Sequence, residues 1–431
     1  MIYYPLPVTR YSSLRPFITS SLRHSVPSSL RLTAVMPYCR TAVMKRPNME
    51  RFSGERLNVT YRIRAGSEAE ATARARDICY EQTIELPEDL PIPEAIRAQV
   101  VGRIEDLRPI GPTAFEVVIS YAVEVVGTDL TQLLNVVFGN VSLKPGIRVE
   151  ALEFPDGFLR LFRGPRFGRT GIRERLDVWD RPLLCTALKP MGLSPQEMAE
   201  LAYEMARAGV DLIKDDHGIA DPPFCPFRER VPRCIEAVER ANRETGRRSI
   251  YMPNVTAPAD EVLERAEWAR RMGAGGLLLS PGLTGLDTLR ALAEEDAVAL
   301  PLMAHPAFLG SFLVDPESGI APGVLLGQLM RLAGADATIF PNYGGRFAFS
   351  REACRAITEA TARPMGSFRP IFPVPAGGMS LDRIPEMVAT YGTEAIFLIG
   401  GALLRERHRL AAVVRDLHRA MVEAMRGPGG Q

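Results

Sequence analysis

Neither sign of charge dominates this chain: 52 Lys and Arg stand against 51 Asp and Glu over 431 residues, a formal net charge of +1. Binding a phosphate backbone or an anionic bilayer surface needs a basic excess on one face, so neither a nucleic acid nor a membrane is an expected partner. The six cysteines, at 39, 79, 185, 225, 234 and 354, make no CxxC pair and no zinc-ligand spacing. A chain of this length needs no disulfide framework, and the expected compartment is a reducing cytoplasm. No run approaches about 18 uninterrupted apolar residues, so no membrane-spanning helix is expected. What remains, 46% hydrophobic and 24% charged, is an ordinary globular composition, which makes small-molecule chemistry the first expectation.

Acid is also missing locally. From Met1 to Asn48 the chain carries Arg10, Arg15, Arg23, Arg31, Arg40, Lys45 and Arg46 with no Asp or Glu, among many Ser and Pro. The composition is transit-peptide-like, but it equally suits an over-long gene start with Met36, Met44 or Met49 as the true first residue. The second reading is preferred. Residues 1–50 are expected to be a disordered extension without function.

Residues 51–165 read as a small α+β domain. Strict alternation marks strands at Leu57–Arg64 and Phe115–Val126, the Ala-rich segment Ser67–Tyr80 reads as a helix, and Pro155–Gly168 as an exit linker. From 166 to 431 the rhythm changes. Short apolar runs recur at 183–190, 211–217, 250–257, 276–282, 299–306, 336–342, 371–378 and 395–401, each followed by helical signals. Such runs suit strands buried on both faces. The first helix is marked by Ser194, Pro195 and Glu197 as a capping box, an apolar face of Met198, Leu201, Ala202 and Met205, and Gly209 as a stop. Eight such units predict a (β/α)8 TIM barrel behind the smaller α+β N-terminal domain.

In that barrel, chemistry sits at the C-terminal strand ends. The polar residues there are Lys189, the cluster Lys214, Asp215, Asp216 and His217, then Asn254, Thr256, His305 and Asn342. Burying a lysine with two carboxylates is costly unless they pair or hold a metal. Strand alternation sends Lys214 and Asp216 one way and Asp215 the other. The plain reading is an ion pair of Lys214 with Asp216; the functional one is an oxygen-ligand site for magnesium. Lys189 could extend into solvent, or act as a base whose ammonium form a nearby cation disfavours. His305 could be a satisfied core histidine. The pairs Gly377–Gly378 and Gly400–Gly401 could be tight turns, or backbone cradles for a phosphate at the ends of strands seven and eight.

These segments, RPLLCTALKPMGLS (181–194), AGVDLIKDDHGIADPPFCPFRERV (208–231), DATIFPNYGGRF (336–347), PVPAGG (373–378) and FLIGG (397–401), resemble the large subunit of ribulose bisphosphate carboxylase/oxygenase (RuBisCO), and more closely its RuBisCO-like, type IV relatives. YEQT (80–83) and FGNVSL (138–143) extend the resemblance to nearly everything after residue 50. It implies that CO2 carbamylates Lys214, that the carbamate and Asp216 hold one Mg2+ per subunit, and that His217 takes the place of a third, glutamate ligand. His217 is then either that ligand or a nearby acid or base. Lys189 matches the family's proton-abstracting lysine, His305 a strand-five active-site histidine, and Glu81 and Asn140 residues that one subunit lends to its partner. A homodimer with shared active sites follows.

The chain also departs from the carboxylase. Met191 stands where the carboxylase has a second active-site lysine, Arg346 falls near its mobile-loop lysine, and Pro306 replaces an arginine that grips one phosphate. CO2 fixation onto ribulose bisphosphate is therefore not expected, and one phosphate should be held, by the four glycines. The expected reaction is decarboxylation or carboxyl transfer of 3-oxo-isoapionate 4-phosphate in carbohydrate catabolism, through a metal-stabilised enediolate, with Lys189, His305 and Arg346 as the catalytic residues. The alternative is a 5-methylthioribulose 1-phosphate isomerase or the enolase of methionine salvage. A binding protein that has lost the chemistry is the third reading; the buried charges argue against it.

Overall fold

The computed structural model describes residues 52–426. The expectation for residues 1–50 lies outside that range. The described chain begins with an antiparallel sheet of β1 (Arg56–Arg64), β2 (Arg103–Gly111), β3 (Ala114–Ala122) and β4 (Ile147–Glu153), with α1 (Glu68–Glu81) against it. Alternate residues of β1, Leu57, Val59, Tyr61 and Ile63, are buried, as the period-2 pattern requires. Ser67 caps α1 by accepting from the Glu70 amide. One expectation is corrected: the strand expected to run through Val126 stops at Ala122, and Val123–Val126 is a helical turn ended by Gly127 at φ +74°. Alternation of apolar residues continues there, but the backbone turns to deliver the next helix, which Asp129 caps.

A helix at Gly168–Leu176 then precedes the barrel strands β5 (Leu183–Leu188), β6 (Leu212–Asp215), β7 (Ile250–Met252), β8 (Leu277–Leu279) and β9 (Leu302–Ala304). A two-residue strand, β10 (Gly319–Ile320), leaves the barrel and pairs in parallel with β4, so the first sheet has five strands. The barrel resumes with β11 (Ala337–Pro341), β12 (Phe372–Ala376) and β13 (Ile396–Leu398), giving an eight-stranded parallel sheet. Every residue of β5 and β6 is buried, which is why the strands read as continuous apolar runs. Ile172 and Leu176, from the preceding helix, join Leu183, Cys185, Leu212, Met303, Phe372 and Ile396 in the inner core and plug one end of the barrel.

The helices pack outside as the sequence patterns predict. α2 (Pro195–Ala208) has the full capping box and ends at left-handed Gly209. α3 (Phe227–Thr245) buries Val231, Cys234, Ile235 and Val238, and α4 (Ala259–Met272) buries Val262, Ala266 and Ala269. Downstream lie α5 (Arg351–Ala360) and α6 (Leu410–Arg426). Among the described residues no helix is long and apolar enough to cross a membrane.

On α6, the Nε2 atom of His418 is buried without a hydrogen-bond partner. Burial, then the charges of Arg181 and Arg247 against the opposing Asp211, push this imidazole down to about 4. The fold therefore keeps His418 neutral where the unfolded chain takes up a proton near ~6.5. The unfolded state binds more protons below that value, so stability is flat above it and falls as pH drops from about 6.5 toward about 4. Thermal melts across that window should show the decline, and His418→Gln should make it shallower without abolishing it, because the buried His305, also pushed down, contributes over the same window; equal slopes would contradict the assignment.

Candidate active site

The register of the first two barrel strands builds the site. Leu188 of β5 lies opposite Asp215 of β6, so Lys189 and Asp216, the next residue on each, become neighbours. Lys189 Nζ stands 3.1 Å from Asp216 Oδ1, with its side chain 37% exposed. The plain reading, an ion pair of Lys214 with Asp216, is thus not what forms. Lys214, only 2% exposed, instead donates from Nζ to the Asp215 carbonyl at 3.0 Å. Burial pushes its ammonium down from the ordinary lysine value, favouring the neutral amine.

Asp216 Oδ1 also lies 3.4 Å from His217 Nδ1. Burial works to raise this carboxyl, but the His217 and Lys189 contacts outweigh it and hold it well below the usual carboxylate range. The His217 ring stacks on His305, with centroids 4.2 Å apart and planes 8° from parallel. His305 is thus no isolated core residue. Burial first, and then the Lys214 and His217 charges, push it down to about 2, so it is neutral. Its Nδ1 accepts from the Ala307 amide at 3.1 Å, which places the proton on Nε2 and leaves that nitrogen a donor.

Asp215 points away, as alternation requires. Its fully buried carboxylate accepts from Tyr251 Oη at 2.6 Å, the Asn254 amide at 2.9 Å and Arg230, whose Nη2 is 3.1 Å away. Neither Arg230 nor Tyr251 was singled out in the sequence. Both lie far along the chain, and only the preference of a buried carboxylate for partners could have signalled them.

Because Ala376 of β12 lies opposite Leu398 of β13, the two glycine pairs end neighbouring strands. Gly377 and Gly378 have φ of +85° and +64°, and a Cβ on Gly378 would fall 2.8 Å from the Gly345 Cα, so the loop after β11 can approach only a glycine there. Added Cβ atoms at Gly377, Gly400 and Gly401 would meet nothing within 4 Å, leaving that backbone open to a ligand. Met191 is 55% exposed, and its Cε would lie 2.8 Å from a Cβ on Gly218, beside Asp216.

Other candidates stand apart. The exposed Arg346 guanidinium stacks 5.0 Å from the Phe347 ring centroid, and among the described residues no hydrogen bond or ion pair ties it to the Lys189–His305 cluster. Asn140 Nδ2 donates to Glu81 at 3.0 Å and to Glu85 at 2.9 Å at the exposed end of α1, with no hydrogen bond to the Lys189–His305 cluster among the described residues. Among the described residues no three His, Cys, Asp or Glu side chains are placed to hold a metal ion. Asp216 and His217 offer a carboxylate and an imidazole side by side, two potential metal donors.

The ribulose bisphosphate carboxylase large chain catalytic domain model matches residues 169–428. The RuBisCO-like protein 1 of Rhodopseudomonas palustris is 43% identical over 83% of this chain and 95% of its own length. This chain belongs to the RuBisCO large-chain family, among its RuBisCO-like proteins. The fold of this RuBisCO-like protein agrees with a crystal structure of a Rubisco-like protein from Rhodopseudomonas palustris, at a TM-score of 0.77 and 37% identity over 85% of this chain and 98% of the other. It is also similar, at 42% identity over 83% of this chain and 93% of the other, to a 5-methylthioribulose-1-phosphate isomerase from Rhodospirillum rubrum. A 2,3-diketo-5-methylthiopentyl-1-phosphate enolase from Geobacillus thermodenitrificans is 37% identical over 71% of this chain and 76% of the other. A dimeric archaeal Rubisco from Hyperthermus butylicus aligns at a TM-score of 0.78 and 28% identity, over 86% of this chain and 91% of the other. These likenesses favour the isomerase or enolase alternative over the decarboxylation or carboxyl transfer put first from the sequence.

Proposed function

We propose that this RuBisCO-like protein isomerises a phosphorylated ketose of the 5-methylthioribulose 1-phosphate type by moving a proton between carbons through an enediolate. The reading is carried by the 42% identity to the Rhodospirillum rubrum isomerase over 93% of that protein. The site chemistry supports it, since an isomerase needs a base that removes a proton from one carbon and an acid that returns one to the next. Lys189 is the half-exposed group at the mouth: as the free amine it takes the carbon-bound proton, and as the ammonium paired with Asp216 it returns one to the neighbouring carbon. His305, neutral and protonated on Nε2, donates to the substrate oxygen that gains negative charge. His217 stacks on His305 and fixes its plane.

The donor set suits one divalent ion: the Asp216 carboxylate, the His217 imidazole and a carbamate on Lys214, whose burial favours the neutral amine that adds CO2. When bound, Mg2+ would supply a Lewis acid that polarises the substrate carbonyl. Backbone amides of Gly377, Gly378, Gly400 and Gly401 hold the single phosphate, with Arg346 adding positive charge from the next loop. Glu81 and Asn140, on the domain spanning 51–165, complete the barrel site of the partner, so the working unit is a homodimer.

Purified protein with Mg2+ and bicarbonate should convert 5-methylthioribulose 1-phosphate in D2O to an isomer carrying solvent deuterium at carbon, followed by 1H and 31P NMR. Enolisation of 2,3-diketo-5-methylthiopentyl 1-phosphate alone would move the protein to the enolase reading. Release of CO2 from 3-oxo-isoapionate 4-phosphate without isomerisation would restore the decarboxylase. Carboxylation of ribulose bisphosphate would overturn the reading of Met191, Pro306 and Arg346.

A further inference from the structure

The barrel closes between β7 and β8 at Asn254, which forms an isolated parallel bridge to Leu278. Two main-chain bonds span that closure, the Val255 amide donating to the Leu278 carbonyl at 2.9 Å and the Leu278 amide to the Pro253 carbonyl at 2.9 Å, and Thr256 Oγ1 accepts from the Ser280 amide at 3.0 Å across the same seam. The fully buried Asn254 side chain makes none of these bonds itself. Its Nδ2 donates instead to the His217 carbonyl at 2.9 Å, and its Oδ1 accepts from the Thr256 amide at 3.1 Å. Its own amide donates to Asp215 Oδ2 at 2.9 Å.

The same carboxylate anchors Arg230, whose Nη1 and Nη2 hold the carbonyls of Cys225 and Ala220 at 2.6 and 2.7 Å. The segment carrying Asp216 and His217 is thus fastened at its far part by Arg230 and at His217 by Asn254, and both lead back to Asp215. Of these ties, only the Asn254 amide reaches a residue whose ring enters the site.

We propose that Asn254 is a positioning residue: its side-chain amide fixes the His217 peptide so that the imidazole stays stacked on His305 with Nδ1 turned to Asp216. A displacement on the order of 1 Å can cost about 10²-fold in rate, even when the displaced group lies behind the reacting atoms. The kinetic part rests on the isomerase reading above; the geometric part does not.

The test uses full-length protein labelled with 13C at histidine Cε1, in which only five histidines give signals. His217→Gln and His305→Gln assign the pair. Asn254→Ser should move the His217 and His305 signals, leave those of His408 and His418 in place, and lower kcat about 10²-fold with KM little changed. Asn254→Ala, which removes the donor to His217 outright, gives the same readout should the serine variant fold poorly. Unmoved signals overturn the proposal, as does a full kcat with moved signals. A wild type inactive on methylthioribulose phosphate refutes the functional reading alone, and the signals then decide the role of Asn254 by themselves.

Discussion

Lys189→Met is expected to lower kcat by about 10³-fold, within the range that a positioned acid or base contributes. Lys214 cannot substitute for it, being buried with Nζ engaged by the Asp215 carbonyl. Lys189 is 37% exposed at a strand end, so methionine, of similar length, should leave the fold intact. Asp216 keeps His217 as a partner. Lys189→Arg should not rescue, because a guanidinium holds its proton at any working pH. Steady-state kinetics and loss of deuterium incorporation from D2O measure both effects. Less than a tenfold drop in Lys189→Met would transfer the proton-moving role to the histidine pair.

The second large effect is on stability. Arg230→Met removes the cation from a carboxylate in a wholly buried pair, leaving Asp215 charged with only Tyr251 and the Asn254 amide as donors. Breaking a buried pair from one side costs about 3–5 kcal/mol, which urea denaturation should record. The Cys225 and Ala220 carbonyls lose their donor as well. Asp215→Asn should cost a comparable amount, since it leaves the Arg230 cation buried without its anion and turns an amide NH2 toward groups that are themselves donors. A loss below about 1 kcal/mol in either variant, the range of an exposed pair, would mean that the pairing of Asp215 with Arg230 does not hold this corner together.

The two results show where the sequence was legible. The eight strands could be read because a strand buried on both faces leaves a nearly unbroken apolar run, and because polar residues interrupt it only at one end, as at Lys189 and His305. The α2 capping box is local chemistry, visible within four residues. Which lysine meets Asp216 was not legible, because it depends on the stagger between β5 and β6, and no periodicity within one strand encodes the stagger against the next. The Asp215–Arg230 pair was half legible: alternation gave the direction of the carboxylate but not the helix residue that answers it. β10, at two residues, is too short to carry any pattern. The likeness to relatives named as an isomerase and an enolase, not the site residues, favours those reactions over decarboxylation, since one lysine and two histidines around a carboxylate serve any of them.

β10 also ties the fate of the two sheets together. Its parallel ladder with Arg148 and Val149 covers the outer side of β4 with chain that belongs to the barrel. Cut free at residue 165, the first sheet would present that flank as bare amides and carbonyls, an open template for any stray strand. The fragment would tend to clump rather than stay single, and its solubility is thus on loan from a loop more than 150 residues downstream.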